Sequence, residues 1–162
     1  MTARVIRPAA AVAWLIVAAT LVRLSFGAML GLGVDESYMV ASGRVLSLGY
    51  FDHPPASWWL SWGAAHLFGT EAPIVVRLPF IALFALSTWL MFRLGAAVAD
   101  DRAGLWVAIL LNLSPVFGVT TGTWVLPDGP LDAALLGAAP TVWACAPFSV
   151  SPRRRRPRCM PR

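Results

Sequence analysis

Residues Val34–Val75 read VDESYMVASGRVLSLGYFDHPPASWWLSWGAAHLFGTEAPIV, and this stretch separates two long apolar segments. It contains both histidines of the chain and four of its eight acidic residues. Ionisable groups gathered beside membrane spans mark substrate or ion pathways more often than they serve packing. We therefore interpret this stretch as an outer loop that carries the functional site.

The composition predicts an all-α integral membrane protein. Hydrophobic residues make up 58% of the chain, charged residues 13%, and the mean hydropathy is +0.69. Apolar stretches of roughly 18–22 residues are long enough to cross about 30 Å of hydrocarbon. We expect about four transmembrane helices: Ala9–Gly33, Pro79–Ala99, Ala103–Thr120 and a span beginning at Leu131.

The net charge of +5 belongs to the C-terminal tail and excludes a nucleic-acid partner. Six of the thirteen basic residues lie in the last twelve positions, and no basic residue is Lys. Basic clusters confined to a tail do not form a binding face. The all-Arg usage suggests a bacterial source, and Arg4 and Arg7 before the first span predict a cytoplasmic N-terminus. The expected location is the bacterial inner (plasma) membrane, crossed several times.

The loop is predicted to contain two interfacial helices. The first, Asp35 to Leu48, has apolar residues at three- and four-residue spacing and is followed by Gly49. The second, Ala56–Phe68, follows two prolines and carries a tryptophan cluster typical of the headgroup level.

Two arginines near the spans leave their roles open. Arg23 either snorkels to the outer interface or faces inward and helps to hold an anionic ligand. Arg77, at the outer end of the second span, is predicted to be a snorkelling anchor.

The C-terminal sequence predicts a division of the chain into 1–139, a transmembrane part, and 140–162, an aberrant or disordered basic tail. Pro140, Pro147 and Pro152 follow at short intervals, which a helix interior tolerates poorly. The alternative is a kinked fourth helix with a positive cytoplasmic tail. On the first interpretation the chain is truncated, and whether it acts as an enzyme is left open.

Four segments carry a resemblance to a known family: DESYMVASGRVLSLGYFDHPPASWW, VRLPF, LLNLSPVF and LPDGPL. Together they resemble the N-terminal part of bacterial GT-C membrane glycosyltransferases related to protein O-mannosyltransferases and the lipid A aminoarabinose transferase. The resemblance implies transfer of a sugar from a polyprenyl-phosphate carrier to an acceptor on the outer face. The implied partners are that lipid-linked sugar and membrane lipid. The alternative is a non-catalytic small membrane protein or an inactive remnant.

The resemblance also implies roles for individual residues. Asp35, Glu36 and Asp128 take the places of catalytic acidic residues, although Asp35 would also serve as a helix N-cap and Asp128 as a turn residue. Candidate substrate-binding residues are His53, Arg44 and Tyr38, the last of which also lies on an apolar stripe. Asp52 and His53 are candidate ligands of a divalent metal ion, which is the one candidate cofactor. The alternative is that they only form the turn before two prolines.

Overall fold

The computed structural model describes residues 7–145 of the 162, and every regular element in that range is helical. Six α-helices and one π-helix follow one another, and no strand occurs among these residues. This confirms the all-α prediction. The elements are α1 (Pro8–Met29), α2 (Val34–Gly43), α3 (Ala56–Phe68), α4 (Pro73–Val98), α5 (Asp101–Leu113), the π-helix (Val116–Thr121) and α6 (Asp128–Cys145).

Two helices are long and apolar enough to cross a membrane. α1 has 22 residues and α4 has 26, each with a mean hydropathy of 2.0. At 1.5 Å per residue α4 extends about 39 Å, which exceeds the hydrocarbon thickness. α5 has 13 residues and extends only about 20 Å. The α-helix then ends just before Pro115. The expected third span, Ala103–Thr120, is therefore not one continuous helix.

The helix boundaries agree with the sequence prediction for α3 and differ for α2 and α4. α2 ends at Gly43, where an added Cβ atom would lie 3.1 Å from the Trp58 ring, closer than an ordinary contact. The expected helix to Leu48 was wrong. α4 begins at Pro73 and contains Pro79, which the sequence had suggested as a start. Proline is tolerated at the first position of a helix and, in membrane helices, also inside one.

α4 is the central helix, and it packs against α1, α3, α5 and α6. One core cluster lies where α2, α3 and α4 meet, and it consists of Met39, Val40, Trp58, Val76, Phe80 and Val125. A second cluster, Val12, Phe92 and Ala108, joins α1, α4 and α5 further along α4. The first cluster lies under the loop that carries most of the candidate site residues, so it fixes the position of that loop.

The predicted boundary after Ala139 falls inside a helix. α6 continues through Pro140 to Cys145. Residues 146–162, with most of the expected basic tail, lie outside the described range, as do residues 1–6 with Arg4. The division of the chain into two parts stays a prediction.

A Gly104→Ala substitution tests the close packing of α4 on α5. A Cβ atom on Gly104 would lie 2.5 Å from the carbonyl oxygen of Phe92 and 2.9 Å from its ring. Small residues allow helices in membranes to approach this closely. We expect the substitution to lower the free energy of unfolding in detergent micelles by about 1–3 kcal/mol.

Gly137→Ala is the matched control, because no atom lies within 4 Å of the added carbon in α6. This change should leave the protein as stable or raise the free energy of unfolding by about 0.5–1 kcal/mol through helix propensity. Equal stability of the two variants would show that α4 and α5 are not in direct backbone contact.

Candidate functional site

A buried ion pair between Arg77 and Glu36 connects α4 to the segment between α1 and α4. Arg77 Nε donates to Glu36 Oε1 at 2.8 Å and Nη2 donates to Oε2 at 2.5 Å. The remaining guanidinium hydrogens reach the carbonyls of Gly27, Leu30 and Gly31 at 3.1, 2.8 and 2.8 Å. All five donors of the side chain are therefore used. Both side chains are only 2% exposed, so the prediction that Arg77 is a snorkelling anchor was wrong.

The Glu36 carboxylate also accepts two backbone hydrogen bonds. They come from Gly33, the N-cap of α2, at 2.9 Å and from Val125 in the turn before α6 at 3.1 Å. A glutamate at the third helical position commonly reaches back to the N-cap in this way. Burial alone would raise the pKa of Glu36, but the hydrogen bonds from Arg77, Gly33 and Val125 outweigh it and lower this pKa. Glu36 thus holds the start of α2 and the turn before α6 together as a carboxylate.

Asp35, Tyr38 and Asp52 form an exposed surface beside this pair. Asp35 occupies the second position of α2, so it is not the N-cap, and its side chain is exposed. Tyr38 follows one turn later on the same side of the helix. Its hydroxyl donates to Asp52 Oδ2 at 3.0 Å, and this bond raises the pKa of Tyr38. Three of the candidate residues are thereby brought close together.

Aromatic side chains of α3 hold the segment that carries Asp52 and His53. The rings of Tyr50 and Trp58 stack with centroids 4.2 Å apart, and the His53 ring lies 6.3 Å from that of Trp58. Trp59 Nε1 donates to the carbonyl of Ser47 at 3.0 Å. Trp58 is fully buried. The tryptophans that suggested a membrane-surface helix therefore also order the loop.

Asp128 begins α6 with an exposed side chain. The turn that precedes Asp128 contacts the start of α2 through the hydrogen bond from the Val125 amide to Glu36. Four residues further on, Asp132 has a buried carboxylate oxygen, Oδ2, that lacks a hydrogen-bond partner. The sequence analysis did not single out Asp132, although its i, i+4 spacing from Asp128 was a signal.

Arg44 lies on the other side of α2 from Asp35. Nine residues separate the two, which corresponds to half a turn beyond two full turns at 3.6 residues per turn. Arg44 donates to both carboxylate oxygens of Glu71, from Nε at 2.9 Å and from Nη2 at 2.6 Å. This bond lowers the pKa of Glu71. The predicted substrate-binding residue is thus not brought together with Tyr38 and His53.

Arg23 points into the protein. It is 9% exposed, its Nε donates to the carbonyl of Gly118 at 3.2 Å, and its guanidinium lies 4.4 Å from the Phe84 ring centroid. Of the two interpretations left open for Arg23, snorkelling was wrong. Its use as a ligand for an anion stays a prediction.

The described residues contain no group of three or more His, Cys, Asp or Glu side chains placed to hold a metal ion. Asp52 is engaged by Tyr38, and His53 lies beside Trp58. These two side chains by themselves do not fit a metal site, so no step of the chemistry is derived through a metal. The divalent ion stays a prediction.

Comparison with models of protein families shows the family of this chain. A model of the dolichyl-phosphate-mannose-protein mannosyltransferase family matches residues 52–146, more than half of the chain. The chain belongs to this family. No curated protein and no solved structure gives a significant match. The resemblance suggested by the sequence is confirmed. The chain is a membrane protein, and the family to which it belongs uses a lipid-linked sugar.

The matched range includes some candidate residues and precedes others. Asp52, His53, Arg77 and Asp128 lie inside it, whereas Asp35 lies before it. The structure connects the two parts, because Arg77 and Val125 from the matched range both bind Glu36. The segment before the match is therefore bonded directly to the matched part of the chain.

Removing the cation of the buried pair tests its importance. Arg77→Leu leaves the Glu36 carboxylate buried without its charge partner, a change that typically costs about 3–5 kcal/mol. We expect a loss of this size in the free energy of unfolding, measured in micelles. Arg44→Leu is the control, because the Arg44–Glu71 pair is exposed and such pairs contribute about 0–1 kcal/mol. Similar losses in both variants would contradict a special role for Arg77.

The same pair predicts a pH dependence. Because the pKa of Glu36 is lower in the folded protein, its stabilising effect is complete above the unfolded carboxyl pKa of about 4.3. It is lost as the pH falls through the lower folded value. The wild type should lose stability on acidification more steeply than Glu36→Gln, when unfolding is followed between about pH 7 and 3. Parallel pH profiles would exclude Glu36 as a titrating contributor.

Proposed function

We propose that the segment between α1 and α4 of this chain forms one side of the active site of a membrane glycosyltransferase. The enzyme transfers a sugar from a polyprenyl-phosphate carrier to an acceptor hydroxyl on the outer face of the membrane. The single observation that carries the proposal is the Glu36 carboxylate, which binds Arg77 of α4 and the amide of Val125. This carboxylate joins the first turn of α2, which carries the exposed Asp35, to the turn that precedes Asp128.

Asp35 is the proposed general base. The acceptor oxygen attacks the anomeric carbon of the sugar, and the bond from that carbon to the phosphate oxygen breaks. The bonding electron pair leaves with the lipid phosphate, while the acceptor proton passes to the Asp35 carboxylate. Its side chain is exposed and free to meet a substrate, whereas Glu36 next to it is fully used by the protein.

Tyr38, Asp52 and His53 are proposed to bind the donor beside Asp35. The hydrogen bond from Tyr38 fixes Asp52 at the edge of the exposed surface. His53 follows in the chain and offers ring nitrogens to the phosphate, which as an anion is best stabilised by hydrogen-bond donors. Asp128, at the first turn of α6, is proposed to orient the acceptor from the opposite side. Arg44 is paired with Glu71 away from this surface and has no part in the step.

The proposed arrangement in the membrane is compatible with these contacts. α1 and α4 cross the bilayer, and α2 and α3 lie at the outer interface with the site above them. The segments around α5 and α6 supply the third and fourth spans. The N-terminus is then cytoplasmic, and the membrane is the bacterial inner membrane. Arg7 directly before α1 supports this orientation through the positive-inside rule.

Asp35→Asn is the test of the mechanism. Amide and carboxylate have the same shape, but the amide does not accept the proton, so transfer should fall by roughly 10²–10⁴-fold. The measurement is the transfer of labelled mannose from polyprenyl-phosphate-mannose in membranes that contain the protein. Membrane insertion and thermal stability should not change.

Asp101→Asn is the control, since Asp101 is also exposed in the first turn of a helix but follows the other end of α4. Its transfer rate should equal that of the wild type. Undiminished transfer by Asp35→Asn would exclude Asp35 as the base. Absence of transfer by the wild type under conditions where it is folded would instead favour the non-catalytic alternative.

A further inference from the structure

A cavity of about 250 Å³ lies between α2, α3 and the turn before α4, away from the proposed reacting surface. We call it the α2–α3 cavity. The residues that determine its chemistry are Arg44, Glu71, Trp62 and His66, with Val40 and Ala65 as apolar lining. Because Arg44 and Asp35 are on opposite sides of α2, the cavity is separate from the surface formed by Asp35, Tyr38 and Asp52. None of the contacts proposed for transfer uses it.

Trp62 and His66 form an aromatic lining. Their ring centroids are 3.9 Å apart, and His66 Nδ1 lies 2.9 Å from the carbonyl oxygen of Trp62. A carbonyl oxygen only accepts hydrogen bonds, so Nδ1 carries a proton in this contact. The lining therefore combines flat aromatic faces with a polar ring nitrogen, Nε2, at its edge.

Arg44 and Glu71 form the polar lining. Their ion pair uses Nε and one hydrogen of Nη2, which leaves further guanidinium donors. Each carboxylate oxygen also keeps acceptor capacity. The pair is electrically neutral as a unit, and it offers donors and acceptors side by side. An anionic ligand would be repelled by the neighbouring Glu71 carboxylate, whereas a neutral ligand with neighbouring hydroxyl groups would not.

We infer that the α2–α3 cavity is a saccharide-binding site for one neutral pyranose ring. Sugar hydroxyls both donate and accept hydrogen bonds, so they match the donors of Arg44 and the acceptors of Glu71. The C–H groups on one face of the sugar ring can pack on the negative face of an aromatic side chain. Sites for drug-sized ligands are commonly about 300–1,000 Å³, so this smaller cavity suits one ring. An adjoining depression at Gly69 and Thr70, of about 350 Å³, leads outward for the substituent of that ring.

This inference rests on the proposed function only for the choice of mannose as the ring. The cavity would retain a glycan, either acceptor or product, near the site without reacting with it. Binding and transfer are therefore separable properties. A variant that abolishes one should leave the other measurable.

The test is titration of the folded wild-type chain in detergent micelles with methyl α-mannopyranoside, followed by saturation-transfer NMR and tryptophan fluorescence. A ligand of this size in a partly polar site should bind with a dissociation constant of the order of 1 mM. Trp62→Leu should weaken binding about tenfold or more, and Glu71→Gln, which alters an exposed pair, about threefold or more. Trp106→Leu is the matched control, because Trp106 is an exposed tryptophan on α5.

The outcomes separate this site from the proposed function. Binding that is weakened by Trp62→Leu and Glu71→Gln but not by Asp35→Asn supports the site, whether or not transfer is detected. If Trp62→Leu does not fold, the binding measured for Glu71→Gln decides whether the cavity holds the sugar. Undetectable binding up to about 50 mM, equal binding by all variants, or loss of binding in Asp35→Asn alone would overturn the inference. Binding of inorganic phosphate in place of the sugar would also overturn it.

Discussion

The structure depends on one buried charge pair, Arg77 with Glu36. Removing an arginine and a carboxylate from water costs several kcal/mol per ion, and this is recovered only where the geometry is good and the remaining hydrogen-bonding groups are satisfied. Here the guanidinium uses all of its donors and the carboxylate receives four hydrogen bonds. Because those partners come from the end of α1, the start of α2, α4 and the turn before α6, the pair determines how these segments are placed.

The consequence for function lies in the contrast between two adjacent acidic residues. Glu36 is directed inward and serves as an acceptor for the protein itself, whereas Asp35 is directed outward. The helix imposes this difference, since consecutive residues are 100° apart around its axis. A rigid Glu36 fixes the backbone of the first turn of α2. The neighbouring Asp35 therefore has a defined position on the surface although it makes no buried contact of its own.

Local patterns in the sequence predicted the parts of the fold that depend on local physics. Two prolines before Ala56 indicated the start of α3, because proline acts on the residues next to it. The contact of Trp58 with Gly43, where α2 ends, was missed because the two residues lie fifteen positions apart in the chain. Long-range packing leaves no periodic signal in a single sequence. The break of the third span at Pro115 did have a local signal in that proline, but the apolar character of the segment outweighed it in the interpretation.

The candidate site shows the same limit. Asp35, Tyr38 and Asp52 were recognised by their motif, and the contact between Tyr38 and Asp52 places two of them together. The partnership of Arg77 with Glu36 was not recognised, because 41 residues separate them and each had a plausible separate role. Arg44 and Glu71 are an instructive opposite case. Their pairing was equally invisible, yet it lies on the surface, where it contributes little to stability and remains available to a ligand. Of the two arginine–glutamate pairs, the buried one joins four segments of the fold, and the exposed one beside the α2–α3 cavity keeps free donors and acceptors that a ligand could use.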